Sequence, residues 1–247
     1  MFGIFKRKKE ISKGGSEIHR HKDSNRKDWR PRIPDESCIY LDEICAYFDK
    51  LYPNRETTVF HEIVSDLVHI DVHVMKPTPE DDFYVVYTTG MSDLPMAVPN
   101  EIPNAQDYKH AELFMFLPSS WNPHSETSTD PTLIRGTWAI PTIKFFARMP
   151  HEYKTWLGGG HTIPNGPDYD PFLEGSELSG VVLLDYGGED GSYLIANDGT
   201  RINTLMLMPL TRAETEYKLE HGMGALIDRL EEHDVPMIID MYRKSAV

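Results

Sequence analysis

The chain of 247 residues has only two cysteines, Cys38 and Cys45, and neither belongs to a Cys-x-x-Cys pair or a recognisable partner cluster. So little cysteine excludes a disulfide-stapled scaffold and points to a reducing, cytoplasmic compartment. Long apolar runs are also missing. Val181 to Leu184 and Leu205 to Leu207 fall far short of the roughly 20 residues of a membrane-spanning helix. At the N-terminus Phe2, Ile4 and Phe5 precede the charges Lys6 to Lys9, the reverse of a secretory signal, so none is expected. Nucleotide and hydrolase signatures are absent as well: there is no Gly-Lys-Ser/Thr phosphate loop, no Gly-x-Gly-x-x-Gly and no Gly-x-Ser-x-Gly nucleophile elbow. The many carboxylates, among them Asp168, Asp170, Glu231 and Glu232, lack the spacing and central glycine of a calcium loop. No cofactor and no catalytic class is signalled.

What the chain has in excess is negative charge, 39 Asp/Glu against 25 Lys/Arg. Its net charge of −14 hides an asymmetry, because Met1 to Arg32 carries eleven Lys/Arg against four Asp/Glu and the remainder stands at −21. An acidic body repels nucleic acid and anionic membranes and favours a basic or neutral partner. From Glu10 to Arg32 there are too few apolar residues to offset the entropy of ordering. Residues 1–34 are therefore expected to form a basic, flexible tail and residues 35–247 one domain. Met1 to Lys9 has two readings, a solvated tail or a weak membrane-surface anchor in which the apolar residues insert and the lysines meet anionic lipid.

The elements expected after Pro34 mix helix and strand. Leu41, Ile44, Cys45, Phe48 and Leu51 repeat at helical spacing, with Asp35 or Ser37 as cap and Tyr52-Pro53-Asn54 as stop. Val68, Ile70, Val72 and Val74 alternate with His69, Asp71 and His73, the pattern of a half-buried strand. Phe83 to Thr88 and Ala111 to Leu117 follow as strands, and strands in succession without helices between them favour antiparallel pairing. Leu133 to Arg148 reads as a helix that Pro141 should kink or delay. Trp156 to Phe172 is a long loop rich in Gly, Pro and Asn, the kind that usually has a functional or packing reason. Val181 to Leu184 and Ile202 to Met208 are further strands, with a turn at Asn197-Asp198-Gly199. Thr211 to Glu232 is one or two helices, broken near Gly222 and Gly224. The fold class is α+β, a largely antiparallel or mixed sheet flanked by helices.

Three groups of residues invite a functional reading. His69, Asp71 and His73 project three ligand-type side chains from one strand face about 7 Å apart. With His161 they would suit a metal-assisted hydrolase, although neighbouring outward residues rarely converge on the 2.0–2.2 Å shell of a first-row ion; the competing reading is a hydrogen-bonded polar face. Gly158-Gly159-Gly160-His161-Thr162 offers backbone N–H groups to an anion, or simply left-handed turns beside Trp156. In Thr89-Gly90-Met91-Ser92-Asp93-Leu94, Gly90 suits positive φ and Ser92 or Asp93 can bond nearby backbone. Met91 and Met96 then supply adaptable apolar surface or fill core.

Three strings taken together carry a resemblance: His69-Ile-Asp-Val-His-Val74, Tyr87-Thr-Thr-Gly-Met-Ser-Asp-Leu-Pro-Met96, and Ala111-Glu-Leu-Phe-Met-Phe-Leu-Pro118 with Trp121. They resemble the Suppressor of fused-like domain family, especially its bacterial members, over about residues 35–241. Trp138, Trp156-Leu-Gly-Gly-Gly-His-Thr-Ile-Pro164 and Leu205-Met-Leu-Met-Pro209 match in the same order. The resemblance implies an α+β fold that binds and restrains another protein, and for bacterial members an immunity protein or antitoxin that neutralises a toxin domain, often a basic nuclease. The basic tail departs from the family pattern, and the long additional segments of the animal proteins are missing, so control of a transcription factor does not carry over. The expected partner surface comprises Gly90, Met91, Ser92, Asp93, Glu112 and Trp121, with Trp156, Gly160, His161, Thr162 and Asn165 as a second patch.

Overall fold

A strand that is apolar towards both of its faces needs cover on both, and this requirement organises the chain. The structure, a computed structural model, describes residues 9–21, 38–124, 137–187 and 192–247. Its main sheet contains β3 (Thr57–Phe60), β4 (Asp71–Met75), β5 (Phe83–Thr89), β6 (His110–Pro118), β7 (Thr162–Pro164), β8 (Leu178–Asp185), β9 (Tyr193–Ile195) and β10 (Arg201–Thr211). The order is β3-β4-β5-β6-β10-β8-β7, and β9 pairs the first residues of β10. All neighbours are antiparallel except the central pair, β6 and β10, which run parallel with Ile202 opposite His110 and Met206 opposite Phe114.

One face is covered by helix α2 (Ala139–Tyr153), whose Ile143 and Phe146 pack with Val72, Val74, Val86, Leu113, Met115, Leu205 and Leu207. Burying a side chain of the size of Phe146 contributes about 1.5–3 kcal/mol. On the other face α1 (Leu41–Leu51) sets Ile44 and Phe48 against Met75, Val85, Tyr87, Phe114 and Met206. Phe48 stacks on Tyr87 with ring centres 4.0 Å apart. The helices α3 (Arg212–His221) and α4 (Met223–Glu232) cover the far end of that face, where Leu226 and Leu230 meet Val182, Met208 and Leu210. Gly222, with φ 93°, makes the break between them. Thr211 and Glu214 open α3 with a reciprocal capping box, which satisfies two otherwise orphaned backbone donors.

Three expectations change. The strand around His69 to Val74 is not half-buried: every residue of β4 is buried, because α1 and the segment before it cover the face that alternation alone would leave wet. The helix expected over Leu133 to Arg148 runs Ala139–Tyr153, with Thr137 and Trp138 ahead of it and residues 133–136 outside the described residues. Pro141 falls in its first turn, where a missing N–H leaves no bond unmade. The first helix is preceded by Tyr40, which makes no side-chain cap, while Asp35 and Ser37 lie outside the described residues.

Part of the basic N-terminal segment lies on the body. β1 (Glu10–Ile11) and β2 (Glu17–Ile18) form a small antiparallel ladder, and Gly14 N donates to Leu219 O of α3 at 2.8 Å. Phe2, Ile4, Phe5 and Lys6 to Lys8 of the possible membrane anchor lie outside the described residues. No helix among the described residues is long and apolar enough to cross a membrane.

Candidate functional site

The turn after β5 is built around a glycine. Gly90 has φ 96°, and a Cβ placed on it would lie 1.9 Å from the His69 carbonyl oxygen; no L side chain fits there. A single 3-10 turn, Met91–Asp93, follows. Its first two residues are engaged inward. Ser92 donates to Glu112 Oε1 from both its N–H at 2.9 Å and its hydroxyl at 2.6 Å, and Thr88 Oγ1 donates to Glu112 Oε2 at 2.6 Å. Leu113 N donates back to Thr88 Oγ1 at 2.9 Å. The His110 ring donates to Ser92 O at 2.7 Å and the His151 ring to Met91 O at 2.9 Å.

Glu112 is completely buried. Burial pushes its carboxyl up to about 7 even though Ser92 and Thr88 donate to it. His151 is pushed down by burial to about 4, against the contrary pull of the Met91 carbonyl. Gly90, Met91, Ser92 and Glu112 therefore brace the end of β5 against β6, and in the folded chain they present no surface to a partner. Met96 is buried too, its sulfur 3.4 Å from Leu157 N. Asp93 is half-buried and reaches outward from the turn, accepting from Cys38 N at 2.6 Å and Ile39 N at 2.9 Å just ahead of α1.

The second expected patch lies beside this turn. Ala97 N donates to Thr155 O at 3.0 Å, and Trp156 sits edge-on to His161 with ring centres 4.5 Å apart. A Cβ on Gly159 would lie 1.9 Å from the Asp185 carboxylate, so the glycines there serve close packing. Gly160 N donates to Leu183 O at 2.7 Å and Leu183 N to His161 O at 2.9 Å, which fastens the loop to β8. Thr162 Oγ1 lies 3.4 Å from the buried Lys218 Nζ, and Asn165 Nδ2 donates to Asp170 O at 2.8 Å. His161 is held down near 4 by burial and then by the neighbouring Lys218. Trp121 is elsewhere. It stands edge-on to Tyr84 at 5.3 Å, just after Pro118, and Glu112 and Pro118 are about 20 Å apart along the strand at 3.3 Å per residue.

The triplet on β4 divides. His69 Nε2 lies 3.1 Å from Asp71 Oδ1, but His73 turns to Thr89 Oγ1 at 3.1 Å, with Cys45 Sγ 3.9 Å away, and stacks on Tyr87 at 4.7 Å. His161 is near β7, five strand spacings from β4 in the sheet order, or about 24 Å. The residues of the hydrolase reading are thus not brought together. What joins His69 and Asp71 instead is Cys38, whose sulfur shares a region with their ligand atoms in which all lie within 4.8 Å of one another. Sequence spacing gave no sign of this, since Cys38 is 31 residues from His69. Around them Ser65 Oγ meets His69 Nδ1 at 2.5 Å and His61 Nδ1 meets Asp71 Oδ2 at 2.8 Å. Arg148 pairs with Glu62 at 2.6 Å.

A further feature was not foreseen. Between α1 and the end of β8 an open groove of about 480 Å³ is lined by Tyr47, Phe48, Tyr52, Phe114, Tyr186 and Asp185, among others. Tyr186 is 40% exposed while its ring packs on Phe116 at 5.6 Å. The helical stripe of α1 pointed to core, and only the tertiary arrangement shows that Tyr47, Tyr52 and Tyr186 border a groove over the buried Phe48 and Phe114.

Residues 66–244 match the family described as Suppressor of fused protein (SUFU). No curated protein sequence matches the chain. Among solved structures, a SUFU homologue from Neisseria gonorrhoeae FA 1090 is similar with a TM-score of 0.60 at 17% identity, covering 84% of this chain and 97% of that one. The protein in a Sufu–Fu complex is similar with a TM-score of 0.60 at 12% identity, over 85% of this chain and 93% of the other. Drosophila Suppressor of Fused reaches 0.53 at 11% identity over 88% of this chain, which spans 52% of the fly chain. At such identities these structures support the fold, and the matched family extends over more than half of the sequence: the chain belongs to the Suppressor of fused protein family.

Proposed function

We propose that the protein is a non-enzymatic binding domain of a bacterial cytoplasm, an immunity protein that engages and neutralises a basic toxin domain. The aromatic groove between α1 and β8 carries this reading. Tyrosines bordering a partly open, apolar trough suit an interface centre, and the exposed Asp185 adds a negative charge to its lining. Supporting it is the charge of −21 beyond Arg32, which would speed encounter with a basic partner and disfavour acidic ones. The Sufu–Fu complex shows a relative holding another protein. Neither cysteine is in a disulfide, in keeping with a reducing compartment.

The expected patch on Gly90, Met91, Ser92 and Glu112 gives way in this reading to the groove, with the Trp156 to Asn165 loop as a separate, half-exposed surface. Affinity capture with the tagged full chain should return one stoichiometric basic protein, and its association rate should fall steeply as salt rises. Tyr186→Ala should weaken that complex at least tenfold, since truncating a tyrosine at the energetic centre of an interface costs about 2 kcal/mol or more. Failure to recover a stoichiometric protein at any salt, or full affinity in Tyr186→Ala, would overturn the proposal.

A further inference from the structure

Cys38, His69 and Asp71 come from the segment ahead of α1 and from the entry to β4, and the fold holds them together with unusual care. His69 and Asp71 are each 5% exposed. The imidazole is oriented: Ser65 Oγ occupies Nδ1 at 2.5 Å, which turns Nε2 towards Asp71 Oδ1 at 3.1 Å and into the space shared with the Cys38 sulfur. Such a hydrogen bond on the far ring nitrogen fixes the tautomer and direction of a ligating histidine. Cys38 takes a left-handed backbone, φ 62°, held by the Asp93 carboxylate on its N–H at 2.6 Å. Gly90 lies against the His69 carbonyl. The Gly90 turn thus positions both the thiol and the imidazole.

We propose that Cys38, His69 and Asp71 bind one zinc(II) ion, and that the largely exposed His61, whose ring meets the other Asp71 oxygen, Oδ2, at 2.8 Å, swings in as the fourth ligand. A thiolate and imidazoles favour zinc over magnesium or calcium, and a carboxylate completes a set that zinc accepts. A tetrahedral ion with ligands at about 2.0–2.3 Å spaces its ligand atoms about 3.3–3.8 Å apart. The Cys38, His69 and Asp71 ligand atoms already lie within 4.8 Å of one another, close to that spacing. The charges balance, since a thiolate and a carboxylate offset the dication, while the adjacent Glu62 is already paired with Arg148. On binding, the thiol proton goes to solvent. The site shares no residue with the aromatic groove.

Cobalt(II) titration of the full chain, reduced and freed of metal with a chelator, tests the site. One equivalent should bind with a thiolate-to-cobalt charge-transfer band and tetrahedral d–d absorption, and zinc should displace it. Because the chain has two cysteines, single variants identify the sulfur: Cys45→Ser keeps the band, and Cys38→Ser loses it and binds at least tenfold more weakly. Ser65→Ala keeps the band and weakens binding about tenfold or more. No thiolate band in the wild-type chain, or a band that survives in Cys38→Ser, overturns the proposal. Should Cys38→Ser fail to fold, the exposed His61→Ala decides: an altered d–d spectrum with weaker binding supports the site, and an unchanged spectrum and affinity overturn it.

Discussion

Glu112 shows why a motif residue can matter without touching anything outside the fold. The carboxyl accepts three hydrogen bonds from Ser92 and Thr88, yet it has no cationic partner among those bonds and no exposure. Its ordinary value of 4.5 rises to about 7 through burial. A group protonated more readily in the folded state favours folding below its unfolded value and loses that contribution as pH rises through the folded value. Stability should therefore fall between about pH 4.5 and 7, by up to about 3 kcal/mol from this residue, at 1.4 kcal/mol per unit. Glu112→Gln keeps the shape and cannot ionise. Urea unfolding at pH 4.5, 6 and 7.5 should show the variant overtaking the wild type as pH rises, and parallel curves for the two proteins would refute the assignment.

At the scale of elements, the Gly90 turn serves as a clamp between strands and helix. Asp93 reaches from the end of β5 to Cys38 N and Ile39 N at the approach to α1, supplying negative charge near a helix start whose first flanking residue, Tyr40, makes no side-chain cap. Hydrogen bonds to a charged acceptor contribute about 1.5–3 kcal/mol. Asp93→Ala should lower stability by about that amount, and the loss should appear in thermal unfolding while the surviving folded protein retains its partner. Unchanged stability with lost binding would make Asp93 a contact residue instead. Much at this scale was legible in the sequence. The stripe Leu41 to Leu51 became α1 because one helix face meets the sheet, and Asn197-Asp198-Gly199 became the turn between β9 and β10, with Gly199 at φ 87°. The burial of His69, Asp71 and His73 was not legible, because alternation reports one strand and is silent about what lies across its polar face. Nor could spacing show Cys38 beside His69, since that contact depends on where a helix begins relative to a distant strand.

For the whole molecule, closure depends on pairings far apart in sequence. The central parallel ladder joins residues 110–114 to 202–206, and local periodicity cannot state such an order. The last residues then lock the far end of the sheet. Ile239 N donates to Phe116 O at 3.0 Å, Ala246 is buried, and Arg243 forms two bonds to the fully buried Glu214, at 2.6 and 2.8 Å. Burial alone would raise Glu214, but the Arg243 guanidinium, with help from Thr211 N and Ala246 N, brings it below its usual 4.5. A lowered carboxyl contributes stability above its unfolded value and loses it as pH falls below about 4.5. Arg243→Ala removes the opposing charge and leaves burial to act, so Glu214 should then favour the folded state only when protonated. The variant should lose about 3–5 kcal/mol at pH 7, the usual cost of stranding a buried charge, and the gap to wild type should narrow as pH falls towards 4. Adding Glu214→Gln, which preserves the capping geometry but carries no charge, should recover part of the loss at pH 7 and little at pH 4. Equal destabilisation at both pH values would show that Arg243 acts through packing of its stem rather than by neutralising Glu214.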